Sequence, residues 1–219
     1  MELTKILGKY RDEFSKTVFD DTYTVHDAYR LRLHDLVRPV NPDLLSKEDT
    51  LYENDTYKYL YGLIREINPN VIVETGVQNG CSTEIILSAL YNNHNGKLIS
   101  FDIGNEQGES SDRTWDGKPG ELVRKELQSP WTLILGDSKV TIPKFLKKQS
   151  KTFKIDIFHH DSDHSTEHIE QEFEHVLPYM KKGGLLCMHD HRGRGFKQET
   201  EKKIKRIFDN EQFCVWEVL

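Results

Sequence analysis

The 219-residue chain has no apolar run of 18 residues, so no segment reads as a helix that crosses a bilayer. The opening stretch MELTKILGKYRDEFSKT lacks the apolar core of a secretory signal and is expected not to be one. Cysteine is scarce. Cys81, Cys187 and Cys214 are odd in number, far apart and without a CxxC pair. That argues against a disulfide framework and a zinc–thiolate site, and favours a reducing, cytoplasmic setting. Positive charge is not in excess: 30 Lys and Arg face 36 Asp and Glu, for a net charge of −6. Nothing here resembles the basic footprint of a nucleic-acid binder, and KKQSKTFK and EKKIKR read as solvated faces. Internal repeats and low-complexity tracts are absent too.

What is present is a regular alternation. Residues 1–54 are charged and rich in Tyr and Arg, and read as one or two short helices and an extended link that cap the main domain. Residues 55–219 read as that domain. Asp55 is placed to cap a helix through TYKYLYGLIREI, which Pro69 stops. VIVET, KLISFDI, WTLIL, FKIDIFHHD and LLCMHD follow as short apolar strands. Between them come the helical stretches EIILSALYNN, ELVRKELQ, KVTIPKFLKK and HSTEHIEQEFEHVLPYM, the last closed by KKGG. A final helix around 196–208 leads to one last strand, FCVWEVL. The pattern predicts an α/β, Rossmann-like, doubly wound fold with a mostly parallel sheet and an N-terminal helical cap. Ligands bind such sheets at the carboxyl ends of the strands. Glu74, Asp102, Gly136–Asp137, Asp161 and His189–Asp190 all fall at those ends.

In ETGVQNG, Gly76 and Gly80 stand between a strand and a helix, spaced GxxxG rather than GxGxxG. Without a following Lys-Ser/Thr this is not a phosphate-cradling loop, and by itself it reads as a structural turn. Asp102, which ends the second strand, is placed to accept both hydroxyls of a ribose. Together they favour a nucleoside ligand held without a pyrophosphate grip.

These features resemble the class I S-adenosylmethionine-dependent methyltransferases over residues 55–190. VIVETGVQNGCST, LISFDI and LILGDS resemble their first three motifs. IDIFHHDSDHSTEHIEQEFEHVLPYMKKGGLLCMHD resembles the subgroup of small-molecule and sugar O-methyltransferases and cephalosporin-hydroxylase-like proteins. Two positions depart from that pattern: Ser162 stands where a glycine is usual, and Thr166 where an aromatic is usual.

The resemblance implies S-adenosylmethionine as cofactor. Glu74 and the Gly76–Gly80 turn would meet its methionine end, with Ser82 nearby. Asp102 would hold the ribose, and Gly136 and Asp137 would lie beside the adenine. Asp137 also fits an N-cap of the following helix. The acceptor would be a hydroxyl on a small molecule or sugar, in a pocket formed by residues 1–54 and the insert at 104–120. The oligomeric state stays open, a homo-oligomer included.

HHDSDHSTEH, residues 159–168, packs four histidines and two aspartates into ten residues. Metal-dependent relatives bring one carboxylate from the fourth strand and two adjacent ligands from the fifth. By resemblance Asp161, His189 and Asp190 take those places for Mg²⁺ or another divalent metal; otherwise Asp161 and Asp190 shape the cofactor pocket. His164 would be the general base, at an offset that some sugar O-methyltransferases use, and an imidazole's ordinary pKa near 6.5 suits the role. His159 and His160 read as packed residues of the strand. His168, Glu172 and His175 read as helix surface. The arginines of HRGRG read either as an anion site or as a solvated loop. A metal-dependent oxygenase on the same scaffold and a non-catalytic nucleoside-binding protein are the rival readings.

Overall fold

A computed structural model describes residues 3–19, 55–104, 118–121, 123–190, 196–210 and 212–219. The N-terminal region contributes helix α1 (Leu3–Phe19). The rest of the expected cap, the 105–117 part of the insert and the HRGRG arginines lie outside the described residues. Helix α2 (Asp55–Ile67) ends just before Pro69, with Asn68 in the left-handed region at φ 51°. Helix α1 lies against it. Phe14 meets Tyr61 edge to face at 5.3 Å, Tyr61 donates to Glu13 at 2.7 Å, and Arg65 pairs with the same carboxylate.

The sheet has seven strands: β1 (Val71–Thr75), β2 (Lys97–Asp102), β3 (Trp131–Leu135), β4 (Ile155–His160), β5 (Met180–His189), β6 (Ile204–Asp209) and β7 (Phe213–Val218). Their spatial order is β3-β2-β1-β4-β5-β7-β6. Strands β1 to β5 pair in parallel, and β7 is antiparallel to both β5 and β6. Strands β1 and β4 are buried along their whole length because helices cover both faces, which is why their apolar residues do not alternate with exposed polar ones and why Glu74, Asp156, His159 and His160 are buried too. On one face Ile72, Ile157, Leu185 and Cys187 pack with α1, α2 and α3 (Cys81–Asn93). On the other Val73, Phe158, Leu186 and Met188 pack with α4 (Ser138–Leu146) and α5 (Thr166–Val176).

Four expectations are corrected. Among the described residues of ELVRKELQ the expected helix is only a single 3₁₀ turn, Lys125–Leu127. KKGG does not end a helix: α5 stops at Val176, a 3₁₀ turn follows, and β5 already begins at Met180. The extra residues form a bulge, since Ile155 pairs with Met180 but Ile157 with Leu185. The last helix is only α6 (Gln198–Glu201). The residues expected to continue it form β6, so the chain ends in a β6–β7 hairpin and not in one strand. There Ile204 is buried and its neighbours Lys205 and Arg206 are exposed, as an edge strand requires.

Candidate active site

Strand order reverses between β1 and β4, which makes their carboxyl ends the crevice where an open α/β sheet takes its ligand. The turn after β1 is drawn tightly into that crevice. Gly76 sits at φ 80°, and a Cβ there would lie 2.0 Å from the Asp161 carbonyl oxygen. Only glycine allows the β1 turn to lie directly on the backbone that follows β4. A Cβ on Gly80 would meet Val123 at 2.7 Å, so the far end of the turn is covered by the segment that follows the insert. Arg124 anchors that segment by pairing with the buried Glu84 of α3.

The carboxylates around the turn divide into distinct environments. Asp102 accepts from the backbone amides of Val77 and Gln78 (2.8 and 3.0 Å) and of Gly104 (2.8 Å), so it ties the turn to the end of β2. Glu74 is fully buried and accepts from Ser82 (2.7 Å), Thr83 (2.9 Å) and Ser100 (2.6 Å). Burial pushes its carboxyl up to about 7 against those hydroxyls. Asp137 caps α4 by accepting from the Lys139 amide (2.9 Å). Gly136 donates its own amide to the Asp102 carbonyl (2.8 Å).

Beyond β4 and β5, Asp161, His164 and His189 converge, with one donor atom of each within 4.8 Å of the others. His189 Nδ1 is 2.9 Å from Asp161 Oδ1, and His164 Nε2 is 3.5 Å from the same oxygen. Burial would raise the Asp161 carboxyl, but the two imidazoles outweigh it and hold the group well below the usual carboxylate range. His164 Nε2 is buried without a hydrogen-bond partner. Asp190 is not in this group; its backbone turns through φ 51° and its amide donates to the Gln212 carbonyl (2.7 Å). Tyr57 of α2 stacks on His189 at 6.5 Å, so the start of α2 walls the cluster. Periodicity marked Tyr57 only as a residue of that helix.

A family model for a methyltransferase domain matches residues 73–191, more than half of the chain and all of the strand-end residues just described. The chain belongs to this methyltransferase family. No curated protein sequence matches it significantly. Solved structures share the fold at low identity. The O-methyltransferase TomG from Streptomyces achromogenes, in complex with S-adenosylmethionine, is 14% identical with a TM-score of 0.57, over 100% of this chain and 99% of that one. An O-methyltransferase from Bacillus cereus, in complex with S-adenosylhomocysteine, is 12% identical with a TM-score of 0.55, over 97% and 100%. The calicheamicin methyltransferase CalS11 is 16% identical with a TM-score of 0.55, over 98% and 91%. The seven-stranded sheet of this methyltransferase is therefore the class I methyltransferase fold.

This methyltransferase holds a second carboxylate–histidine cluster that corrects the surface reading of His168 and Glu172. Glu172 is fully buried. It accepts from Thr75 (2.9 Å), Ser138 (2.5 Å), Ser162 (2.9 Å), His160 Nδ1 (2.8 Å) and His168 Nε2 (2.9 Å). Burial would raise its carboxyl, and the donated hydrogen bonds hold it well below the ordinary range instead. Burial lowers His168, and Glu172 more than offsets that, so the imidazole is raised. A signal for this existed: Ile169, Phe173 and Val176 mark the buried stripe of α5, and Glu172, three residues after Ile169, lies on it. Ser162, standing where relatives carry glycine, is one of its donors.

Proposed function

We propose that this methyltransferase moves a methyl group from S-adenosylmethionine to a hydroxyl oxygen of a small-molecule or sugar acceptor. One observation carries the reading. The Gly76 turn and Asp161 lie in backbone contact at the switch point, so a cofactor turn and a proton-handling cluster share one crevice. Bound cofactor supplies an electrophilic methyl group; its C–S bond breaks, a C–O bond forms, and sulfur keeps the electron pair.

The residues fit such a nucleoside. Asp102 and Asp137 present carboxylates at the ends of β2 and β3, beside the Gly76–Gly80 turn that follows β1 and that Glu74 and Ser82 flank, and Gly136 ties the end of β3 to Asp102. Ile103, Leu135 and Val140 leave large apolar side chains exposed along the same edge (41%, 58% and 61%), an apolar surface suited to a purine ring. Sequence patterning did not single these three out.

Asp161 and His164 are the groups that act on the acceptor hydroxyl, whose proton must leave as the C–O bond forms. His189 braces Asp161, and α2 brings Tyr57 alongside. Residues 1–54 are read as the cap and 55–219 as the catalytic domain. The O-methyl reading draws support from TomG and from CalS11, which is described as a TDP-rhamnose 3'-O-methyltransferase. The family match favours neither an oxygenase nor a non-catalytic binder. Calorimetry with S-adenosylhomocysteine tests the cofactor: micromolar binding is expected, and no heat at millimolar ligand rejects the reading.

A further inference from the structure

We propose that Asp161, His164 and His189 form a site for a first-row transition-metal dication and select it over Mg²⁺. Three donors about 2.1 Å from one ion stand roughly 3 to 3.5 Å from each other. Here the two edges from Asp161 Oδ1 measure 2.9 Å to His189 and 3.5 Å to His164, and all three donors lie within 4.8 Å. The cluster thus approximates a coordination shell before any ion enters.

Two further observations point to an occupant. The buried Nε2 of His164 has no partner, although a buried polar nitrogen ordinarily finds one. His159 is 1% exposed and both its ring nitrogens lack partners, with Asp161 and His189 among its electrostatic neighbours. A nearby ion with its waters would give these nitrogens partners. The Glu172 cluster is the comparison. It has the same makeup of one carboxylate and two imidazoles and also leaves one buried ring nitrogen, His160 Nε2, without a partner, but three hydroxyls complete its carboxylate.

The donor set decides the metal. Mg²⁺ prefers an all-oxygen octahedron, whereas two imidazoles and one carboxylate suit Fe²⁺, Co²⁺, Ni²⁺ or Zn²⁺. His164 rather than Asp190 completes the set, because Asp190 stands outside the converging group. When bound, such an ion lowers the pKa of a hydroxyl that it contacts. His164 would then act on the acceptor by holding the ion and not as a free base. The inference concerns the cluster alone, and it stands or falls separately from S-adenosylmethionine binding.

The test is equilibrium metal binding to the full chain, stripped with chelator and free of any histidine tag. Co²⁺ is followed by its visible absorption and Mg²⁺ by calorimetry. We expect one Co²⁺ per chain, bound at least ~100-fold more tightly than Mg²⁺. His164→Gln and His189→Gln should each weaken Co²⁺ by at least ~10-fold, and Asp190→Asn by less than about threefold. Circular dichroism confirms that each variant is folded. Equal affinity for Mg²⁺ and Co²⁺, no Co²⁺ bound at 1 mM, or full Co²⁺ affinity in folded His164→Gln would each overturn the proposal. S-adenosylhomocysteine binding, measured in the same samples without metal, reports on the methyltransferase reading independently.

Discussion

Two clusters of one carboxylate and two histidines stand at the carboxyl end of β4. They share a composition and differ in burial and in how completely the carboxylate is hydrogen-bonded. Glu172, with His160 and His168, is sealed and saturated: five donors converge on one fully buried carboxylate. Asp161, with His164 and His189, is only partly buried, and His189 is its hydrogen-bond donor among the described residues. A buried carboxylate with every lone pair met holds elements together, here β1, β4, α4 and α5. A carboxylate with spare capacity is available for chemistry. Residue type alone does not separate a brace from a site; the completeness of hydrogen bonding at the carboxylate does.

That contrast can be broken by mutation. Asp161→Ala is expected to lower methyl transfer by at least ~10³-fold, the order that positioned proton transfer supplies, while shifting Tm by no more than about 3 °C. A large loss of Tm would make Asp161 a second brace. Glu172→Gln should do the reverse. Removing one partner of a buried charged network costs about 3–5 kcal/mol, roughly 6–20 °C in Tm for a chain of this size. Transfer by the fraction that stays folded should remain within about tenfold of wild type, and a thousandfold loss would place Glu172 in the chemistry.

Glu74 sharpens the comparison through pH. Its folded value of about 7 lies above the ordinary 4.5, so the folded state binds its proton more tightly than the unfolded chain does. Stability from this group is complete below pH 4.5 and declines by about 3 kcal/mol as pH rises to 7. Glu172 is held below the same ordinary value, so its contribution is present above pH 4.5 and is lost as pH falls. Urea unfolding from pH 4 to 8 should show the Glu74 decline, and Glu74→Gln should flatten it. An unchanged slope in that variant would assign the decline to another group. The smallest effect belongs to Ser162→Ala, which removes one of the five donors to Glu172 and should cost about 1 kcal/mol in the same assay. A neutral result would show that water replaces the hydroxyl.

Much of the scaffold was legible in the chain. VIVET declares a buried parallel strand by its apolar run, IDIF does so around a single aspartate, and ETGVQNG marks the turn between a strand and a helix. The C-terminal third was harder to read. KKGG looks like a helix stop but bulges β5: with Ile155 opposite Met180, Ile157 pairs with Leu185, three residues beyond a uniform register. KIKRIFD carries charges that suit a helix surface equally well, and only pairing with β7 makes it an edge strand. In the site, Asp161 and His189 announced themselves by standing at strand ends. His168 did not, because its role depends on Glu172 being buried one turn further along α5.

The order of strands and helices, the glycine turn and the placement of acidic residues at strand ends follow from the sequence, because each depends on local periodicity and backbone freedom. Which carboxylate is satisfied and which is left open was decided only by tertiary structure. Ser138 and Thr75 come from other elements, 34 and 97 residues from Glu172, to complete its shell. His189 reaches Asp161 from 28 residues away, and among the described residues no comparable set of hydroxyls accompanies it. Hydrogen bonds over such separations are set by how the layers pack, and no window of sequence contains them.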